Sequence, residues 1–295
     1  MGYGAYTSSD WSKLKASGRV DSTASASQIF KSRTMDARFD PKYINMREAF
    51  DSEEHPDTTP IIIGLDVTGS MGYLSEEIAK NALNETMMKL YSTNPVPGPQ
   101  LMFAAIGDVN DNAPLQVTQF ESDIRIAEQL LDLWLEGRGG DGPEDYALLW
   151  HFASAHTKTD AFEKRGKKGF LFTIGDADNH NEIQGKYIEK IFGDAPEGGD
   201  IKKFYKKAAA KYHIYHINIT RNRPLYNLES VMPGHIVEVS KDNINRLPEI
   251  MISVMQCVNG MDKATVIAQW DALAQPVVEN ALKGLTFETK RKFVF

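Results

Sequence analysis

The chain has a single cysteine, Cys257, in 295 residues, so an intrachain disulfide is impossible and the fold must rest on its core. Cys257 follows the apolar run 250–255, a setting that makes it a buried, inert thiol. Positive charge is also short: 33 Lys and Arg against 40 Asp and Glu leave a net charge of -7. That balance argues against a general nucleic-acid binder, although a local basic face is compatible with it. No apolar run approaches the roughly 20 residues that span a bilayer. Met1-Gly2-Tyr3-Gly4-Ala5-Tyr6 is not followed by the apolar core of a signal peptide, and Tyr6 stands where a myristoylation pattern needs Ser or Thr. A cytoplasmic protein that does not touch membranes is the expectation. What is present is ordinary for a globular chain, 42% apolar and 25% charged, enough for one large α/β core with or without an extension.

Residues 1–58 differ from the rest, with a small polar stretch at 21–27 and an acidic one at 51–57 close to Pro56 and Pro60. They are expected to form a partly ordered extension in which Trp11, Ile29, Phe30 and Phe39 dock on the domain, with disorder as the alternative. Residues 59–259 alternate apolar runs with amphipathic stretches. The runs at 61–65, 101–106, 115–120, 170–174, 213–219 and 236–239 read as six strands. The turn-rich segment 108–114 makes the second and third a hairpin. Helical spacing runs through Leu74, Ile78, Ala82 and Leu90, through Ile124, Ala127, Leu131 and Trp134, and over 202–211 and 247–258. Pro143 suits the first position of another helix through Ala147, Leu148 and Trp150. This order predicts a three-layer α/β fold: a doubly wound, mostly parallel six-stranded sheet with one antiparallel edge strand. Residues 260–295 are left as a C-terminal helical extension and tail.

Three loops concentrate oxygen ligands. Asp66-Val67-Thr68-Gly69-Ser70-Met71 follows the first strand, Gly139-Gly140-Asp141-Gly142-Pro143-Glu144 opens a helix, and Gly175-Asp176-Ala177-Asp178-Asn179-His180 follows the fourth strand. Ligands of open α/β sheets sit at the carboxyl ends of the strands, near the point where the strand order reverses. Asp66, Thr68 and Ser70 alternate along a turn and can converge on one point. Carboxylate and hydroxyl oxygens suit hard cations such as Mg²⁺. The loops lack His and Cys at their centres, which disfavours zinc.

These motifs resemble the metal-ion-dependent adhesion site of von Willebrand factor A domains. Asp66-Val67-Thr68-Gly69-Ser70 is similar to the Asp-x-Ser/Thr-x-Ser signature, and Asp176 matches the aspartate that ends a later strand. The middle loop resembles a Gly-Gly-Asp-x-Pro-Glu variant that puts Asp141 where the family otherwise has threonine. The similarity runs over roughly residues 60–258, with three loops in order. It implies that Thr68 and Ser70 bind Mg²⁺ (or Mn²⁺ or Ca²⁺) directly, that Asp66 and Asp176 bind it directly or through water, and that Asp141 takes the threonine's role as a ligand. It implies an interaction module of an intracellular multi-protein system, not an enzyme. Its partner would be another protein that completes the metal site with an acidic side chain. Intracellular relatives further imply association with an AAA-type ATPase. Asp141 departs from the usual pattern and neutralises more of the metal charge, which weakens the attraction for an acidic partner.

The same loops are also similar to those of haloacid-dehalogenase phosphatases and phosphotransferases. There Asp66 would be a covalent nucleophile, Gly175-Asp176-Ala177-Asp178-Asn179 the magnesium loop, and Lys164, Lys167 or Lys168 the phosphate-binding lysine. Val67 and Thr68 depart from that family's patterns, and the middle loop has no place in it. Other polar groups read as structural. Glu144 is expected to cap or salt-bridge, and Asp108, Asn110, Asp111 and Asn112 to make a turn. His180 is expected to face solvent, and His213 and His216 to satisfy hydrogen bonds within their strand. His151 and His156 are five apart on a helix and so off a common face. Lys202, Lys203, Lys206, Lys207 and Lys211 form a solvated basic face.

Overall fold

The computed structural model describes residues 4–20, 25–78, 83–137, 142–219 and 223–287, with the backbone alone at Ala26, Ser70, Ser75 and Glu76. The N-terminal segment contributes α1 (Ser8–Ala16), α2 (Ala26–Ile29) and β1 (Arg47–Ala49). Thr7 caps α1 by accepting from the Asp10 N–H at 3.2 Å. The segment docks through its few apolar residues: Tyr6, Trp11, Leu14, Ile29, Phe30 and Phe39 are all buried in the main core.

The central sheet starts with β2 (Thr59–Asp66), all eight of whose residues are buried. After α3 (Gly72–Glu77) and α4 (Leu83–Thr93) come β3 (Pro99–Ile106), β4 (Leu115–Val117) and α5 (Arg125–Asp132). Ala82, one of the residues of the expected helical spacing, lies outside the described residues. Trp134 also falls outside its expected helix. Its N–H and C=O are taken by the Gln116 side chain at 3.0 and 2.8 Å, which fixes the chain beyond α5. Next are α6 (Tyr146–Ala155), β5 (Thr157–Thr159), α7 (Asp160–Arg165) and β6 (Gly169–Gly175). The hairpin partners β7 (Glu182–Ile183) and β8 (Gly199–Asp200) flank α8 (Gly185–Phe192), and α9 (Ile201–Ala209) leads to β9 (Tyr212–Ile219). The chain continues through α10 (Tyr226–Val231), β10 (Ile236–Val239), α11 (Leu247–Val258), α12 (Lys263–Ala268) and α13 (Gln275–Leu282).

The six strands run in the order β10-β9-β6-β2-β3-β4, parallel except for the β3–β4 hairpin at one edge, as the alternating pattern predicts. Period-2 alternation splits β2 between two apolar layers. Ile61, Ile63 and Leu65 face the layer with α4 and α11, and Ile62 faces the layer with α6, α8 and α9. A Cβ at Gly64 would overlap Leu149 of α6, so glycine lets this helix lie tightly on the central strand. Tyr146 to Ala153 of α6 are all buried, as in a helix with apolar surroundings on every side. Cys257 is buried on α11, as its apolar neighbours predict. α13, which sequence patterning did not resolve, buries Val278, Ala281 and Leu282. Among the described residues, no helix is long and apolar enough to cross a membrane.

Candidate metal centre

The strand order reverses beside β2. The chain goes from β2 to β3 and β4 on one side, then crosses to β6, β9 and β10 on the other. The crevice that results lies at the carboxyl ends of β2 and β6, and Asp66 and Asp176 stand there. Leu65 pairs with Ile174 in the parallel register, so Asp66 and Asp176 close neighbouring strands.

Asp66 is fully buried, and its carboxylate organises the turn that follows it. Oδ1 accepts from the Thr68 N–H at 2.9 Å and from the Thr68 hydroxyl at 2.6 Å, an Asx turn that the Asp-x-Thr spacing encodes locally. Oδ2 accepts from the Tyr146 hydroxyl at 3.2 Å. A Cβ at Gly175 would overlap that hydroxyl and stand 3.0 Å from Asp66 Oδ2, so only glycine leaves room here for the three groups.

The middle and third loops are sewn together by backbone. The Glu144 N–H donates to the Asp178 carbonyl at 2.8 Å, and the His180 N–H donates to the Glu144 carbonyl at 2.9 Å. Pro143 therefore does not open the helix. Residues 144 and 179 form a parallel bridge, and α6 begins three residues after Pro143, at Tyr146. The bridge turns Glu144 inward, 3% exposed, with Thr68 hydrogen-bonding to its side chain. Among the described residues it neither caps a helix nor pairs with a base, the roles expected of it. Asp145, 1% exposed, accepts from the Val109 N–H at 2.9 Å. Asp178 and Asn179 have structural duties. Asp178 accepts from the Asn227 and Leu228 N–H groups at the start of α10, and Asn179 accepts from the Ala147 N–H at the start of α6.

Among the described residues, the crevice gathers more carboxylates than bases. Burial pushes the Asp66 carboxyl up to about 6, with the Asp176 charge adding to it and the Thr68 hydrogen bonds opposing. Burial pushes Glu144 up to about 9, reinforced by Asp66, Asp108 and Asp111. Asp145 rises to about 6 through burial, opposed by the Val109 N–H and His180. The Tyr146 phenol is raised for the same reasons, burial first and the carboxylates after it. Among the described residues, Glu144 Oε2 finds no hydrogen-bond partner although it is buried. Among the described residues, Lys and Arg do not offset Asp66 or Glu144. Crowded, desolvated carboxylates of this kind are what a divalent cation relieves, and the donor set of carboxylates and a hydroxyl is hard.

Of the five sequence-derived ligands, Asp66, Thr68 and Asp176 come together at this crevice. The Ser70 side chain and Asp141 lie outside the described residues. Glu144 and Tyr146 stand beside Asp66 as well, and Asp145 stands next to them toward Asp108 and His180; none of the three was among the expected ligands. A run of acidic residues leading into a wholly apolar helix was their only signal. Asp108, Asn110 and Asp111 form the expected turn, with Asp108 accepting from the Asn110 N–H at 2.7 Å and Asp111 from the Asp108 N–H at 2.9 Å. His180, 41% exposed at its side chain, stands at the rim 3.1 Å from Asp108.

The phosphatase reading gains no added support. Both Asp66 oxygens are engaged and the residue is closed to solvent. Lys167 and Lys168 precede β6, so the length of that strand, roughly 20 Å, separates their backbone from the Asp66 end of the sheet. Lys164 pairs with Asp160 at 2.7 Å.

No family model matches the chain, and no curated protein matches it in sequence. Solved structures similar to it include the pilus adhesin SpaC from Lactobacillus rhamnosus GG in its open conformation, 8% identical, with a TM-score of 0.48 over 72% of this chain and 31% of that one. Proximal thread matrix protein 1 from the mussel byssus, with a zinc-occupied MIDAS motif, is 13% identical, with a TM-score of 0.46 over 72% of this chain and 49% of that one. A von Willebrand factor type A structure from Catenulispora acidiphila is 12% identical, with a TM-score of 0.40 over 68% of this chain and 42% of that one. The aligned part of this chain thus spans less than half the length of each.

Proposed function

We propose that the chain is a divalent-metal-dependent protein-interaction module of the von Willebrand factor A type. The observation that carries this reading is the group of buried carboxylates at the strand-order reversal, where Asp66 and Glu144 are both raised by burial and like charge. Asp66, Thr68 and Asp176 would hold Mg²⁺ or Mn²⁺, and the motif resemblance adds Ser70 and Asp141. When bound, the ion supplies an electron-poor coordination position for an acidic side chain of a partner protein. The chain's own residues set the strength of that pull. Each carboxylate facing the ion lowers its remaining charge, so Asp141 in place of a threonine makes the module a weaker acid-seeker than the usual pattern. Tyr146 holds Asp66 in place through its hydroxyl, and the Asx turn holds Thr68. A role without catalysis is consistent with an Asp66 that solvent does not reach. An intracellular multi-protein setting, and an AAA-type ATPase as the partner, rest on the family resemblance alone.

Calorimetric titration of the chelator-treated chain with Mg²⁺ and Mn²⁺ tests the metal. One site is expected, lost in Asp66→Ala and in Asp176→Ala while circular dichroism stays native. Unchanged affinity in both variants would reject the proposal. Affinity capture from lysate with and without chelator then tests partner binding, which is expected to disappear with the metal.

A further inference from the structure

The other end of α6 carries a different cluster. His151 lies in the last turn but one, and α6 stops at Ala155, which leaves His156 as the C-cap outside the helical spiral. The five-residue spacing therefore does not separate the two rings. Both turn toward Asp194, just beyond α8. His151 Nε2 lies 2.7 Å and His156 Nε2 2.9 Å from the same oxygen, Asp194 Oδ2. The three candidate ligand atoms lie within 4.8 Å of one another. The rings are clamped by aromatics. His151 stands edge-on to Phe192, and His156 stacks between Phe152 and Phe192.

The hydrogen bonds fix what faces the carboxylate. His156 Nδ1 is 3.1 Å from the Asn45 carbonyl, and a carbonyl can only accept, so Nδ1 carries the proton. In a neutral ring, His156 then presents a bare Nε2 lone pair to Asp194 Oδ2 at 2.9 Å. Two acceptors at that separation require a positive charge between them, a proton or a metal. A second imidazole nitrogen converging on the same oxygen favours the metal. A backbone carbonyl that holds the distal N–H of a histidine is also the usual outer-shell partner of a metal-bound imidazole. The carboxyl end of a helix further favours a cation, by virtue of its dipole.

We propose that His151, His156 and Asp194 form a second metal site, for a divalent transition cation of the Zn²⁺ class, at the C-terminal end of α6. Two imidazoles and one carboxylate are the donor set of zinc, and they differ in kind from the oxygen ligands at the other end. Tetrahedral ligands on bonds of about 2.1 Å stand roughly 3.4 Å apart, so the two Nε2–Oδ2 distances of 2.7 and 2.9 Å would widen by roughly 0.7 and 0.5 Å on binding. Asp194, 31% exposed at its side chain, leaves an entry path from solvent. The ion would tie α6 to the segment after α8 and, through Asn45, to the N-terminal segment.

The test uses the full chain, stripped with chelator and held in excess Mg²⁺ so that the oxygen site is filled. Titration with Co²⁺ is expected to give one equivalent with the visible absorption of a tetrahedral ion, bleached by Zn²⁺. Side-chain ¹⁵N spectra are expected to show the Nε2 signals of His151 and His156 shifting with Zn²⁺ while His156 Nδ1 keeps its proton. Asp194→Asn and His156→Gln are each expected to lower affinity by at least about 100-fold, the upper end of what loss of an outer-shell partner costs. Imidazole signals that do not move at saturating Zn²⁺ would overturn the site and leave a proton as the bridging charge. So would Co²⁺ binding that is unchanged in folded Asp194→Asn. If a variant fails to fold, the ¹⁵N spectra of the unaltered chain decide alone.

Discussion

The two ends of α6 stand in contrasting chemical surroundings, although one helix of ten residues joins them. At its N-terminus, oxygen donors from three loops meet around Asp66, where burial is the main cause that raises the carboxyls and like charge adds to it. At its C-terminus, two imidazoles and one carboxylate meet between aromatic rings, and both imidazole nitrogens converge on one carboxylate oxygen. Such a difference would let a single scaffold sort metals. Hard oxygen sites take Mg²⁺-like ions, nitrogen-rich sites take zinc-like ones, and the rigid helix keeps the two sets apart. Acid should also affect them differently. The imidazole site needs neutral histidines, so protons compete with its metal, whereas the carboxylate crevice is relieved by protons as well as by metal.

The largest expected effect breaks the comparison outright. Asp66→Ala should abolish Mg²⁺ binding, measured by calorimetry, and leave the Co²⁺ spectrum of the imidazole end intact. Loss of both signals from a folded variant would mean that the two ends are not separate. Next is Tyr146→Phe, which removes the hydroxyl that holds Asp66 Oδ2 but keeps the ring. Mg²⁺ affinity should fall by about tenfold, the lower end for an outer-shell partner, and an unchanged affinity would show that the hydroxyl has no positioning role.

A pH series sharpens the contrast further. The folded-state carboxyls of Asp66 and Glu144 lie above their ordinary values of 3.8 and 4.5, so the metal-free folded chain holds protons that the unfolded chain releases. Stability of the chelator-treated chain is therefore full below the unfolded values. It falls as pH rises through about 6 for Asp66 and on toward about 9 for Glu144. Urea midpoints should drop from about pH 5 to about pH 8 with chelator and stay nearly level with saturating Mg²⁺. Midpoints that rise with pH in chelator would contradict the buried-carboxylate account. The smallest effect is expected at the rim. His180→Ala removes a half-exposed partner of Asp108 and should change stability by no more than about 0.5 kcal/mol in the same urea titrations.

Legibility in the sequence followed locality. Asp66 and Thr68 are two residues apart and make their own turn, so the motif could be read without the fold. Asp176 was readable because it ends an apolar run that can only be a buried strand. Glu144 was misjudged because the 144–179 bridge, and not Pro143, decides where α6 begins. His151 and His156 were misjudged because helical periodicity assumes a helix that continues past Ala155.

The amino-acid sequence by itself determined the alternation of buried strands and amphipathic helices, the hairpin edge, and the Asx turn after the first strand of the sheet. These follow from side-chain period and from hydrogen bonds between near neighbours. Only the tertiary structure decided which carboxylates crowd together and which oxygen the two histidines share. Those proximities join residues some 40 to 110 positions apart, brought together by the strand order 10-9-6-2-3-4 and by the points where helices stop, which no local pattern records.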